Sequence, residues 1–323
     1  MHYNIDQTND TRTLDFHRFI LFYRHEWTPE WSFNSEVELE HNLVKDGHGE
    51  LELEQAYVDF HPGNVIGFRA GVVLAPIGIY NLLHEPPTFL SVERPDYAKV
   101  IIPTTWFGNG LTVYGHWKDF RYNLTVMEGL NRDGFSLGSG LRGGRQKGYK
   151  ANADDLLKSF RVDYTGFDGA TVGLSYSLND AYRENQDPIG YNLFEIHARY
   201  ENNGIHSSFE YANIQFDNYS IGPDETRVNS SGGYYIELGY NVSRLLDLNT
   251  KIIPWFRWTD YNTASETEPA AALDEEYHYQ KWLAGVAIEP IESVSFKVDY
   301  GVKTNQLTND ETQLLNLGVG YMF

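Results

Sequence analysis

The sequence predicts an all-β fold, a transmembrane antiparallel β-barrel of about sixteen strands with short periplasmic turns and long extracellular loops. Three observations predict it: apolar and polar residues alternate with period two along most of the chain, aromatic residues are abundant, and short connections interleave with long ones. The last strand shows the alternation most clearly. Leu315, Leu317, Val319, Tyr321 and Phe323 occupy one parity and Asn316, Gly318, Gly320 and Met322 the other. A final strand ending on Phe323, with Tyr321 two residues before it, is similar to the insertion signal of outer-membrane barrels.

The same parity recurs upstream. Val294, Phe296, Val298, Tyr300 and Val302 alternate with Ser295, Lys297, Asp299, Gly301 and Lys303. Trp282, Ala284, Val286 and Ile288 oppose Lys281, Gly285 and Ala287, and Tyr234, Ile236, Leu238 and Tyr240 oppose Glu237, Gly239 and Asn241. Phe194, Ile196, Ala198 and Tyr200 alternate with Glu195, His197 and Arg199; near the start, Trp31, Phe33, Val37 and Leu39 alternate with Ser32, Asn34, Glu36, Glu38 and Glu40. So many half-apolar strands cannot share one soluble core. In a two-sheet sandwich the inner faces pack dry, whereas here the polar faces carry Arg, Lys, Glu and Asp in mid-strand and the apolar faces carry Tyr and Trp toward their ends.

Short connections (28 to 30, 61 to 64, 118 to 120, 166 to 169, 201 to 204, 289 to 292) interleave with long ones (43 to 50, 75 to 105, 129 to 155, 179 to 190, 217 to 232, 262 to 276, 304 to 311). An even strand count keeps both ends of a barrel on the periplasmic side, and about fifteen good candidates imply one more, placed at residues 2 to 6.

Composition agrees. The 323 residues include 23 Tyr, 18 Phe, 7 Trp and 29 Gly, with no linker or low-complexity run, so residues 1–323 form one domain. No stretch approaches the roughly 18 to 20 apolar residues of a membrane-spanning helix. The low mean hydropathy, −0.46, is no objection to a barrel, in which every second residue of a strand faces a polar interior. Met1-His2-Tyr3-Asn4-Ile5 has neither the basic nor the apolar stretch of a secretory signal, so it is expected to be a mature or re-engineered start. A net charge of −20 excludes nucleic acid as a partner, and much of the acid falls in expected loops, at Asp224-Glu225, Glu266, Glu268 and Asp310-Glu311.

Charged residues of both signs fall on the polar parity of different strands. Arg69, Arg121, Arg161, Arg199, Arg257 and Lys297 are expected to line the bore together with Glu36, Glu38, Asp163, Glu195, Glu237 and Asp299. Such a lining sets a field that orients dipolar solutes, or simply pairs along the wall and holds its shape. The stretch from 75 to 105 is too long and too apolar for an exposed loop, and Pro76, Pro86, Pro87, Pro95 and Pro103 stiffen it. It is expected to fold inward as a constriction, with Glu93, Arg94, Asp96 and Lys99 at the eyelet; capping a neighbouring subunit is the alternative.

Other motifs carry less. Gly138-Ser139-Gly140-Leu141-Arg142-Gly143 matches a dinucleotide fingerprint without its strand and helix, so it reads as a loop. Arg142, Arg145, Lys147 and Lys150 form a basic patch that is solvated, lures anions to the mouth, or meets lipopolysaccharide phosphate. The eleven His show no metal-ligand spacing and there is no Cys, so no metal and no cofactor is expected. His197 and His206 with Ser207 and Ser208 are the only candidates for catalysis, and no G-x-S-x-G accompanies them, so the chain is not expected to be an enzyme.

Leu53-Glu54-Gln55-Ala56-Tyr57-Val58-Asp59-Phe60, a Pro-Gly turn, Gly67-Phe68-Arg69-Ala70-Gly71 and a Pro-Ile-Gly segment together resemble the phosphate-selective porin O/P family. The resemblance is specific over residues 51 to 116. It implies a sixteen-stranded outer-membrane porin, a homotrimer, with a narrow eyelet formed by an inward loop. Phosphate selectivity does not carry over, because no lysine cluster maps onto the constriction segment of this acidic chain. The expected function is passive diffusion of small hydrophilic solutes or ions across the bacterial outer membrane, in contact with lipid and lipopolysaccharide. The alternative is a barrel acting as a sleeve or anchor for a partner protein.

Overall fold

A computed structural model describes residues 1–45, 48–182, 186–221, 226–269 and 275–322. The expected loop acids Asp224 and Glu225 and the terminal Phe323 of the insertion signal lie outside the described residues.

Strands β1 (His2–Asp6), β2 (Thr11–Asp15), β3 (Arg18–Glu26), β4 (Trp31–Glu40), β5 (Leu51–Phe60) and β6 (Gly67–Leu74) precede the long segment. After it come β7 (Phe107–Trp117), β8 (Phe120–Glu128), β9 (Leu156–Tyr164), β10 (Ala170–Ala181), β11 (Ile189–Asn202) and β12 (Ile205–Asp217). The chain finishes with β13 (Ser220–Ile221), β14 (Thr226–Tyr240), β15 (Lys251–Glu268), β16 (His278–Ile291), β17 (Val294–Asn305) and β18 (Glu311–Tyr321). The helices α1 (Asp96–Val100) and α2 (Ser243–Leu246) are single turns, too short to cross a membrane.

These eighteen segments make sixteen wall strands among the described residues. β2 pairs with β1 and β3 with β4, and only Phe16 and His17 separate them, so they are one strand broken in the middle. β13 likewise continues β12 past Asn218-Tyr219, and both pair with β14. All pairings are antiparallel between chain neighbours, and β1 also pairs with β18, His2 opposite Gly318, so the ladder returns to its starting strand. The expected first strand at residues 2 to 6 is β1.

The faces follow the alternation. On β11, Phe194 and Ile196 are 40% and 36% exposed on the outer surface while Glu195 and His197, one residue away, are 0% and 2% exposed inside. Period-two alternation permits nothing else once one face is chosen. The inner face departs from the sequence reading in one half of the barrel. Ile189, Tyr191 and Leu193 of β11, Ala212, Ile214 and Phe216 of β12, Leu157 of β9 and Val228 of β14 point inward and are buried. They meet residues of the chain's own connections, so the polar lining expected all round is replaced here by a dry packed core.

Three connections expected to be long are shorter. β10 and β11 extend to Ala181 and from Ile189, β14 begins at Thr226, and β15 runs to Glu268, with β16 resuming at His278. The ribbons continue where the inner face still packs, at Ala181, Ile189, Val228 and Ala264, but the outer face is polar, at Asp180, Arg227, Glu266 and Glu268, so the outward apolar residues that mark a membrane strand stop before the hydrogen-bonded ladder does. A connection not expected, residues 241–250, carries α2 between β14 and β15.

An arginine on the outer face tests the orientation of the wall. Ile236→Arg is expected to cost about 2–4 kcal/mol in urea unfolding from lipid vesicles. Asn34→Asp, on the inward parity of β4, is expected to cost less than about 1 kcal/mol; equal costs would contradict the assignment of faces.

Candidate functional site: the in-folded segment

Residues 75–106, between β6 and β7, turn into the barrel. Asn81 closes the neck of the excursion. Its side chain donates to Ala75 O (2.7 Å) and Trp106 O (3.0 Å) and accepts from Trp106 N (2.7 Å), so both ends of the segment are tied at one point. One face then packs on the apolar inner wall: Ile77, Tyr80, Tyr97, Ile101, Ile102 and Trp106 are buried against residues of β9, β11, β12, β14 and β15. Tyr235 of β14 sits between Tyr80 and Tyr97, with ring centroids 5.8 and 5.7 Å away.

The segment is mostly irregular, so its backbone polar groups have few partners of their own. The wall supplies them. Arg161 donates to Gly78 O while its Nε holds Asp163 at 2.9 Å and its Nη2 lies 3.0 Å from His197 Nε2. Arg257 donates to Ser91 Oγ (2.7 Å) and Glu93 O (3.3 Å), with Nε on Glu237 at 2.9 Å. Lys297 donates to the carbonyls of Pro86, Phe89 and Ser91, and Arg199 reaches Thr88 O at 3.5 Å. Carboxylates do the converse: Asp299 accepts from Val92 N (2.7 Å) and Glu210 from Ile79 N (3.2 Å). At Gly78, φ is +66° and a Cβ would stand 2.2 Å from Glu210 Oε1, so only glycine allows this approach.

Four of the expected lining cations thus grip the segment: Arg161, Arg199, Arg257 and Lys297. Glu195 and Glu237 sit behind them, Glu195 accepting from His197 Nδ1 (2.9 Å) and Ser175 Oγ (2.7 Å). Arg69 stands apart, 3.7 Å from Asp59 and over the rings of Tyr57 and Tyr114, and Arg121 is exposed near a short turn, opposite His116 and 3.5 Å from Thr171 Oγ1. Of the expected eyelet residues, Asp96 pairs with Lys281 (3.0 Å) and Lys303 (3.8 Å), and Glu93 approaches His2 at 2.7 Å. Arg94 reaches Thr105 Oγ1 at 3.4 Å, and Lys99 is exposed. Burial would raise the Asp96 carboxyl, but the two lysines outweigh it and hold it at about 2.

His84 is the innermost anchor. It is 1% exposed, donates Nδ1–H to Asn81 O (3.2 Å), and lies between two wall glutamates, 2.9 Å from Glu54 Oε2 and 3.3 Å from Glu36 Oε1. Burial opposes its charge, but the two carboxylates more than offset that and push it up to about 10.

The next long connection, residues 129–155, closes over this one. Arg145 donates to Thr105 O, Gly140 lies so near Val100 O that a Cβ would be 2.2 Å away, and Thr263 donates to Leu137 O. Lys147 of the basic patch reaches Glu50 and Glu52, and Lys150 is exposed. Opposite the apolar wall a charged corner remains. Arg18 of β3 bonds Glu38 (3.2 Å) and Glu40 (3.4 Å), facing Arg94 and Arg142, with Lys99 beside those two. Burial, and then the charges of Arg18 and Arg142, push the Arg94 guanidinium down to about 9. A cavity of about 260 Å³ lies on the other side of the segment, between Thr88, Arg199, Glu201, His206, Glu237 and Lys251.

The candidate catalytic groups do not assemble. His197 is locked between Asp163 (3.0 Å), Glu195 and Arg161, and Ser207 pairs with Leu238 on the outward parity. His206 stands 3.7 Å from Glu201.

No family model matches the chain. An uncharacterized protein of Aquifex aeolicus (strain VF5) is 29% identical over 341 aligned positions, spanning 100% of this chain and 78% of that one. Among solved structures, an anion-selective porin from Comamonas acidovorans superposes with a TM-score of 0.65 at 10% identity, covering 100% of this chain and 96% of that one. OmpT, an outer membrane protein of Vibrio cholerae in a trimer form, superposes at 0.62 with 12% identity, covering 100% and 96%. The chain has the β-barrel fold of outer-membrane porins.

The His84 clamp has a definite pH signature. Its pKa in the fold lies above the ordinary 6.5, so its stabilisation is complete below that value and is lost as pH rises through about 10. His84→Gln is expected to cost about 3–5 kcal/mol at pH 6, the loss for breaking a buried ion cluster. The difference from the parent in unfolding free energy should shrink steadily between pH 6.5 and 10; a constant difference would contradict a charged His84.

Proposed function

We propose that this chain is a porin of the bacterial outer membrane through which small hydrophilic solutes or ions diffuse passively, past the constriction formed by residues 75–106. The observation that carries this reading is the segment itself, turned into the bore and held by Arg161, Arg257, Lys297 and Asp299. It narrows the passage to the charged corner, where Arg18, Arg94 and Arg142 meet Glu38 and Glu40 and Lys99 stands beside Arg94 and Arg142. Charges of opposite sign across a narrow passage orient dipolar solutes and bias ion entry. A bore occupied by the chain's own residues leaves little room for a partner protein, which disfavours the sleeve. Kinship with the phosphate-selective porins, read from residues 51 to 116, and a homotrimer, as in the trimer form of the Vibrio protein, belong to the same proposal.

Planar bilayers test it. The refolded protein is expected to give small stepwise currents and to run as a heat-dissociable trimer on gels. Lys297→Met combined with Arg257→Met releases the carbonyl grips and is expected to raise unit conductance by about twofold or more. Lys99→Glu should move the reversal potential in a salt gradient toward cations. An electrically silent parent, or steps indifferent to all three substitutions, would overturn the reading.

A further inference from the structure

Where the wall strand breaks between β2 and β3, five side chains from four distant parts of the sequence converge. They are His2, Asp15, His17, His41 and Glu93. Among them His2, His17 and Glu93 each offer a ligand atom within 4.8 Å of the others. The rings of His2 and His17 stack at 4.5 Å with 21° between planes, and His41 meets His17 edge-on at 5.2 Å. His2 is 6% exposed, and its Nδ1, although 2.7 Å from Glu93 Oε1, is buried and makes no hydrogen bond of acceptable geometry. Ring and carboxylate stand in direct contact at 2.7 Å, so an ion bound to both would part them to the roughly 3.3 Å that two ligands of a tetrahedral ion keep.

Asp15 occupies a supporting position. It accepts from His17 Nδ1 at 3.0 Å and from His41 Nδ1 at 2.8 Å. A carboxylate on Nδ1 fixes the tautomer of His17 and leaves Nε2, unprotonated, as its free nitrogen; metal-binding histidines are commonly oriented this way. His41 steadies the carboxylate in turn, and its backbone N–H bonds His17 O across the break at 3.0 Å. The nearby cavity of about 280 Å³, bordered by Met1, His2, His17, Glu85 and Tyr321, offers an approach.

We propose that His2, His17 and Glu93 form a binding site for a divalent transition-metal ion of the Zn²⁺ type, with Asp15 and His41 as positioning residues. Two imidazoles and one carboxylate are the donor set such an ion takes, with bonds of about 2.0–2.2 Å and a fourth position left to water. Ca²⁺ and Mg²⁺ prefer oxygen donors and are not expected to compete. The ion would join the β1 and β2–β3 walls to the in-folded segment, because Glu93 belongs to the segment and the histidines to the wall.

The test is titration of the refolded, full-length protein in detergent at pH 7.5 with Zn²⁺ against a chromophoric chelator. One ion per chain is expected, with a dissociation constant of about 10 μM or below, unaffected by millimolar Mg²⁺. His17→Gln, His2→Gln and Glu93→Gln should each weaken binding at least about tenfold, and Asp15→Asn about 10- to 100-fold. His278→Gln, on β16 where the ring lies between Asp260 and Glu275, should leave it unchanged. Co²⁺ bound to the unmodified chain should give the intense visible absorption of a four- or five-coordinate site, a readout that does not depend on any variant folding. Absence of stoichiometric Zn²⁺ binding by the parent chain overturns the proposal. So does binding that His278→Gln abolishes, or that His2→Gln and His17→Gln in folded protein leave intact, or a weak Co²⁺ spectrum of the octahedral kind.

Discussion

A β-barrel satisfies its own backbone: every strand has two neighbours, and no N–H or C=O faces hydrocarbon unpaired. An irregular chain inside the bore has no such ladder. Thirty-two residues, 75–106, enter with most of their amides and carbonyls uncommitted, and each one left buried and unpaired would cost on the order of 1–3 kcal/mol. The charged residues of the inner wall meet this demand. Arg161, Arg257 and Lys297 donate to carbonyls, Asp299 and Glu210 accept from amides, and Asn81 seals the neck. Remove that pairing and these groups are left buried without partners, a cost set against the apolar packing of Ile77, Tyr80, Tyr97 and Ile101.

The arrangement divides the interior. Toward β9 to β15 the segment turns its apolar side chains against inward Leu157, Leu193, Ile214 and Tyr235, and water is excluded. Toward β3 and β4 it turns charge against charge, at Arg94 opposite Arg18 and Glu38. The cations of the wall therefore serve two ends at once. They hold the segment by its backbone, and in holding it they determine which part of the cross-section remains polar.

Much of the barrel was legible in the sequence because period-two alternation survives wherever one strand face meets hydrocarbon. The wall strands and the short turns follow from it, and even β1 follows from the need for an even count, whereas the stretch from 75 to 105 was singled out by its length, its apolar residues and its prolines. Three things were not legible. Strand ends beyond the apolar band, as at Thr263 to Glu268, carry no alternation and read as loop. The inward apolar residues Ile189, Tyr191 and Leu193 occupy the parity that should be polar, and their reason for being there is a packing partner some ninety residues away. The gathering of His2, His17, His41 and Glu93 around the break at Phe16-His17 leaves no spacing to find, because its members come from distant parts of the chain. The charged residues were found by parity, but parity could not tell a group facing water from one gripping a carbonyl.

The account stands on residues 75–106 occupying the bore, and a cross-link tests that most directly. A Cβ at Gly318 of β18 would lie 3.5 Å from Val92 Cβ, at the short end of the range that a disulfide spans, and the chain has no cysteine of its own. In the folded, lipid-inserted protein Val92→Cys with Gly318→Cys should form a disulfide quantitatively under mild oxidation. If both thiols instead stay free and react with a membrane-impermeant reagent added from outside, the segment lies elsewhere and the account fails.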